Sequence, residues 1–156
     1  MYKRQGPLGV PVNRTAEQAA VRELALRSNW RLQVQGAKPY ELTMDEVLAM
    51  STHEAGFPIS CVEGWSVGAQ WRGIRLLDVV RRAGGDAGSQ VEVRSLEPKG
   101  SYNRSFVHGP QIEHALLATH LNGERLNLDH GYPLRLIAPN RAGVLNTKWL
   151  SRVVLL

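Results

Sequence analysis

Cysteine is all but missing: Cys61 is the only one in the chain. That excludes an internal disulfide and every zinc or iron–sulfur site built from several thiolates. It leaves the compartment open, because a thiol that serves as a ligand sits equally well on either side of a membrane. Acidic charge is in deficit, with 14 Asp and Glu against 19 Lys and Arg and a formal charge of +5. A balance of that sign favours anionic partners such as a phosphate group, nucleic acid or an anionic surface. There is no apolar run of about 18 residues, so no helical membrane span is expected. No signal peptide, internal repeat or low-complexity segment is visible.

What remains is the composition of one compact domain: 156 residues, 43% hydrophobic and 21% charged, with 15 glycines and 8 prolines that call for many turns. The opening "MYKRQ" matches the translation of a sequencing-adapter repeat, so residues 1–5 are read as a non-native scar and the true N-terminus as lost. Residues 6–29 read as an N-terminal arm and a short helix, "TAEQAAVRELALRS". Residues 30–156 read as the domain proper.

Within it, "WRLQVQG" alternates as a half-buried strand. "ELTMDEVLAMS" carries a capping box in which Thr43 and Glu46 each satisfy the other's backbone, with Met44, Val47 and Leu48 as the apolar face. Residues 57–62 read as a buried strand holding Cys61. "IRLLDVVRRAGG" reads as a helix with Ile74, Leu77 and Val80 on one face and Gly84 as its stop. "QVEVRSL" reads as a strand and "PKGSYNRS" as a loop. Asn122-Gly123 marks a tight turn. "YPLRLIAP" and "TKWLSRVVLL" read as strands. Mixed strands with short helices between them give an α+β domain.

Three groups of residues bear on chemistry. Cys61 stands at a strand end, followed at once by a glycine-containing loop where backbone approaches a ligand closely. A lone cysteine is most often a small buried hydrophobe. A nucleophilic one requires a histidine base; His53, His108, His114, His120 and His130 are present, but no local signature ties one to it. A thiolate is also a soft ligand for a transition metal. The second group is "DHGYPLRLIAPNRAGVLNTKWLSR", with His130, Arg135, Arg141, Lys148 and Arg152 among glycines and prolines. Arg135 lies between Leu134 and Leu136, so it either points to the opposite face or is buried and paired. A solvated basic face and an anion pocket both satisfy this pattern. The third is the extended arm "VPVNRTA", with Asn13 and Arg14.

Taken in this order, these stretches resemble the molybdopterin-binding catalytic domain of the sulfite oxidase family. "ISCVEGWS…W.GIRLLDVV" and "LNGERLNLDHGYPLRLIAPNRAGVLNTKWLSRV" follow the family's order and spacing. "PVNRTA" looks like the arm of membrane-anchored bacterial relatives, although Asn13-Arg14-Thr15 stands where sulfite oxidases have Arg-Asn-His. The resemblance implies a sulfite-oxidase-type fold and a molybdenum–molybdopterin cofactor. It implies that Cys61 ligates the metal and acts as the catalytic residue. It further implies that His130, Arg135, Asn146, Thr147 and Lys148, with Asn13 and Arg14 of the arm, hold the pterin and its phosphate end. Glu97 or Tyr102 stands where the family often has an Asp-Gly-Tyr turn.

The implied activity is a two-electron redox reaction or oxygen-atom transfer on a small-molecule substrate. The implied location is extracytoplasmic, with a membrane or haem electron-transfer partner encoded upstream in the same gene. Sulfite oxidases continue into a dimerisation domain that supplies active-site groups; its absence here argues against a true sulfite oxidase and leaves the substrate open. The alternative is a non-catalytic pterin- or anion-binding module of the same fold. Nucleic acid is not an expected partner, because no recognition motif is present and the basic residues do not fall in one run.

Overall fold

The computed structural model describes residues 12, 14–56, 59–60, 66–67, 69–98, 103–138 and 146–156, with backbone only for 59–60 and 66–67. The arm leads into two single helical turns, α1 (Ala16–Ala19) and α2 (Arg22–Ala25), where one short helix was expected. The break falls at Ala20, which is left-handed at φ 57° and ψ 40°. Its cause is burial. Ala16, Ala19, Val21 and Ala25 form one buried cluster with Trp149. At about 100° per residue, one straight helix places the first two of these opposite the last two. Turning the chain at Ala20 brings all four to one side. Thr15 caps α1: its Oγ1 accepts from the Gln18 amide at 3.1 Å, and its own amide donates to Gln18 Oε1 at 2.9 Å.

The chain continues through β1 (Arg31–Gln35), β2 (Tyr40–Thr43), α3 (Met44–Met50), β3 (His53–Gly56), β4 (Ile59–Ser60), β5 (Ser66–Val67) and β6 (Gln70–Arg75). It then forms α4 (Leu76–Arg82), β7 (Val91–Ser95), β8 (Arg104–Val107), α5 (Pro110–His114) and β9 (Leu116–Leu121). The last elements are β10 (Glu124–Arg125), a single 3-10 turn at Leu128–His130, β11 (Arg135–Ile137) and β12 (Leu150–Leu155). The Thr43–Glu46 capping box forms as expected. So does the tight turn between β9 and β10, with Asn122 at φ 50° and Gly123 at φ 86°. Gly84, at φ 95°, follows α4 directly.

Two readings are corrected. Ile74 is not helical: it lies in β6 opposite Leu117 of β9. The chain passes from strand to helix with no loop, at Arg75, so the apolar run serves two periodicities in turn. The buried helical residues are Leu76, Val79 and Val80, and Leu77 is half-buried. The expected loop at "PKGSYNRS" also gives way at its end, where Arg104 and Ser105 open β8 and pair with Arg94 and Val93.

Most strands form two five-stranded sheets, and β4 and β5 pair as a two-stranded one. The first sheet runs β2-β1-β12-β7-β8, and its only parallel pair is β1 with β12. Trp30 ties these two together from its indole Nε1 to the Leu150 carbonyl at 2.9 Å. The second sheet runs β10-β9-β6-β3, with β11 also paired to β9. The main core joins Leu32, Val34, Val93, Val107 and Val153 of the first sheet to Ile74, Leu117 and Leu136 of the second, with Leu76, Val79 and Val80 of α4. Each side chain of this kind contributes about 1.5–3 kcal/mol when fully buried.

The opposite face of the second sheet is buried too. It holds Trp71, Leu116, Ala118, Leu121 and Ile137. Strand alternation puts Arg135 on this side, directly opposite Ala118. A close approach makes the arrangement possible: a Cβ on Gly73 meets the Leu117 carbonyl oxygen at 1.9 Å, so only glycine lets β6 and β9 come this near.

Candidate functional site

The tight segment between the 3-10 turn and β11 determines where Arg135 goes. Gly131, at φ 116°, packs so closely that an added Cβ meets Arg135 Cβ at 2.9 Å and Lys148 Cβ at 3.2 Å. Arg135 is 4% exposed. Its Nη1 donates to the His130 carbonyl at 3.0 Å, its Nη2 to the Asn146 carbonyl at 3.3 Å and its Nε to the Leu136 carbonyl at 3.3 Å. The guanidinium also lies 5.1 Å from the centre of the Trp71 ring. Of the two placements open from sequence, burial is the one found. The partners are carbonyls; among the described residues Arg135 has no carboxylate in ion-pair contact. Burial alone pushes its pKa down from the usual arginine value, to about 9.

Lys148 stands on the other side of Gly131. Its Nζ donates to the Asp129 carbonyl at 2.9 Å and to the carbonyl of Arg14, and it lies 4.7 Å from the Trp149 ring centre. Burial of the ammonium, and then the charge of Arg135, push its pKa down to about 7 against the opposing pull of Asp129 and Glu97. Two cations therefore sit together with carbonyls as their hydrogen-bond partners.

The remaining expected residues close around this pair. His130 is buried. Asn146 presents its carbonyl to Arg135 and its Oδ1 to the Ala138 amide at 3.0 Å. Thr147 is buried; its Oγ1 bonds the Ser105 hydroxyl, and its carbonyl accepts from the Leu136 amide at 2.8 Å. Arg14 is present, but its side chain turns to Glu97, with Nε at 2.9 Å and Nη2 at 2.6 Å from Oε1. It is the backbone of Arg14, not its guanidinium, that meets Lys148. Asn13 and Cys61 lie outside the described residues, as do Tyr102 and Arg141. In sequence, Cys61 directly follows β4, whose two residues pair with β5.

Sequence reasoning missed Asp129, although it is part of the quoted "DHGYP". Its Oδ1 accepts from the Ala16 amide at 2.8 Å. The arm is thus fixed from three elements: Glu97 beyond β7, Asp129 in the 3-10 turn and Lys148 ahead of β12. Trp71 and Ser105 were missed as well. Their roles depend on pairing across sheets, for which the local sequence has no sign.

Three comparisons bear on this arrangement. Residues 18–156 match the family described as "Oxidoreductase molybdopterin binding domain". The chain is 30% identical over 154 residues to mitochondrial sulfite oxidase of Drosophila melanogaster, covering 81% of this chain and 27% of that protein. It is 33% identical over 158 residues to the protein-methionine-sulfoxide reductase catalytic subunit MsrP of Xanthomonas campestris, covering 90% of this chain and 49% of that protein. The chain thus spans about half or less of these two relatives. Among solved structures, the sulfane dehydrogenase SoxCD of Paracoccus pantotrophus superposes with a TM-score of 0.73 at 21% identity, over 82% of this chain and 38% of that one. That likeness speaks for the fold.

Proposed function

Because the chain belongs to the oxidoreductase molybdopterin-binding domain family, whose cofactor is molybdenum–molybdopterin, we propose that the pocket around Arg135 and Lys148 receives the anionic end of that cofactor. One observation carries this reading: a buried guanidinium and a part-buried ammonium stand on either side of Gly131, and among the described residues their hydrogen-bond partners are carbonyls. A buried cation without a counter-charge is costly. A phosphate supplies the missing charge, and the fork of Arg135 suits its oxygens. The donor set therefore fits the cofactor's anionic end.

In this reading His130, Asn146 and Thr147 shape the pocket by holding Arg135, Leu136 and Ala138. Arg14 acts through its backbone, and Asn13 joins it in the arm. Lys148 holds a proton at Nζ and presents it to the bound anion. Cys61 supplies the thiolate for the metal, a role that suits its soft sulfur. When bound, the cofactor supplies a two-electron redox change coupled to oxygen-atom transfer, and the chain binds and orients it. The substrate is a small molecule, and electrons pass to or from a separate electron-transfer partner. The arm's resemblance to that of membrane-anchored bacterial relatives supports an extracytoplasmic site. Among the described residues no helix is long and apolar enough to cross a membrane.

The test is metal and pterin analysis of protein purified from a host that makes the cofactor. Stoichiometric molybdenum and pterin are expected. Cys61→Ser is expected to keep the pterin and lose redox activity. A protein that carries pterin but shows unchanged activity in Cys61→Ser has no ligand at that position, and one without pterin fails the pocket assignment.

A further inference from the structure

A second concentration of positive charge lies on the outer face of the first sheet, and no stretch of the sequence displays it. Along β7, β8 and β12, Val91, Val93, Val107 and Val153 face the core. The alternate residues face outward. The register sets Gln33 opposite Arg152, Arg152 opposite Arg94, and Arg94 opposite Arg104. Three arginines therefore stand abreast on adjacent strands, about 4.8 Å apart from strand to strand. Like charges directly opposite one another destabilise a sheet.

The compensation is thin. Arg94 pairs with buried Glu92. Arg152 turns its Nη2 to the neutral Gln33 Oε1 at 2.8 Å, and Arg104 lies 5.9 Å from the centre of the Phe106 ring. Beyond Arg152 the row opens into a cleft of about 300 Å³ lined by Arg27, Asn29, Arg31 and Ser151, with no acidic residue in its wall.

The row lies at the end of the first sheet that the segment carrying Thr147 and Lys148 leads into. Arg104 precedes Ser105, whose hydroxyl bonds Thr147. Arg94 leads along β7 towards Glu97, and Arg152 follows Lys148 by four residues. We propose that the Arg104–Arg94–Arg152 face docks an acidic electron-carrier protein that exchanges electrons with the cofactor. The inference rests on the function proposed above. Substrate oxidation with water releases an oxygenated product, two protons and two electrons, and two carriers each accept one electron. Substrate reduction runs the same balance in reverse.

The next row across the sheet favours a protein over a nucleic acid or a bilayer. Val154, Glu92 and Phe106 stand opposite one another, with Phe106 50% exposed. At the far end Gln33 faces Glu41. A phosphate backbone gains nothing from Val154 and Phe106. A single exposed ring is too little apolar surface for a bilayer. Acidic side chains around an apolar centre complement both rows.

The test uses the whole chain with an acidic flavodoxin as carrier, and with duplex DNA and anionic phospholipid vesicles as rival probes. Wild type is expected to bind flavodoxin at low salt and to release it steeply as salt rises. Arg104→Gln/Arg152→Gln is expected to weaken that binding by about tenfold or more, with turnover by a small dye unchanged and thermal stability equal to or slightly above wild type, because like charges across the strands are removed. Arg81→Gln/Lys38→Gln, at exposed positions elsewhere, is expected to bind as wild type does. Arg104→Lys/Arg152→Lys keeps the charge and is expected to restore binding, which separates docking from any loss of fold. Equal loss in both glutamine pairs overturns the proposal, as does no loss in either. So does tighter capture of DNA or vesicles than of flavodoxin through the same arginines. Binding to the carrier needs no cofactor. A protein without dye turnover that still loses flavodoxin in the arginine pair rejects the proposed function and keeps the docking face.

Discussion

The ammonium of Lys148 donates to the backbone carbonyl of Arg14, across 134 positions of sequence. That bond joins the N-terminal arm to the segment that carries the pocket. In the proposed reading the arm is a wall of the pocket, and its anchors are expected to affect cofactor retention as well as stability.

The two partners of the arm's ion pair are not equivalent. Glu97 is buried, whereas the Arg14 side chain is 37% exposed. Arg14→Ala leaves a buried carboxylate alone and is expected to cost about 1–3 kcal/mol, after allowance for the exposure of Arg14. Glu97→Gln keeps an acceptor for Arg14 and is expected to cost about 1 kcal/mol or less. Urea denaturation of the cofactor-free variants decides it. The reverse order removes the asymmetry.

Lys148 makes cofactor uptake depend on pH. Its folded value, about 7, lies below its ordinary 10.5. The cation that meets the phosphate is present below pH 7 and lost above it, so uptake by cofactor-free protein is expected to weaken from pH 6 to pH 8. Stability moves the other way. Between about 7 and 10.5 the unfolded chain binds the extra proton, so this residue's contribution rises with pH across that window. Lys148→Met is expected to flatten both trends. Pterin fluorescence titrations and thermal melts across the range check them.

Arg135→Ala removes a buried charge but strands the carbonyls of His130, Leu136 and Asn146. Each buried acceptor left alone costs about 1–3 kcal/mol, offset in part by the relief of the unpaired cation. The melting point is expected to fall by several degrees, at about 2–4 °C per kcal/mol for a chain of this size, and pterin to be lost. Arg135→Lys keeps the charge without the fork and is expected to fall between. Full pterin content in Arg135→Ala rejects the pocket.

Two glycines with positive φ separate backbone strain from crowding. A Cβ on Gly123 meets nothing within 4 Å, while one on Gly131 meets Arg135 and Lys148. Gly123→Ala is expected to cost about 1 kcal/mol from strain alone. Gly131→Ala is expected to cost more and to displace the two cations, so only it loses cofactor. Melting points and pterin content of the two variants read this directly.

What was legible in the sequence follows from range. The Thr43–Glu46 box and the Asn122-Gly123 turn are completed within four residues, so the sequence contains all that forms them. His130, Arg135 and Lys148 stand out in the sequence because they fall in one glycine-bearing segment, and the structure sets Arg135 and Lys148 against Gly131. Ile74 was misread because an apolar run that leaves a strand for a helix without a loop fits either period until its partners are known. Asp129 and Glu97 were hidden or only half seen for a related reason. Each meets the arm more than 80 positions away, through a fold that local patterns do not encode.

Strand β12 fills the gap between β1 and β7, and Lys148 and Thr147 lie immediately ahead of it. Until that segment has emerged from the ribosome, β1 and β7 are two separate raw edges, and the pocket lacks one of its cations. In the proposed reading, capture of the cofactor therefore waits on residues 147–155, and a nascent chain arrested before them is an assembly with open seams.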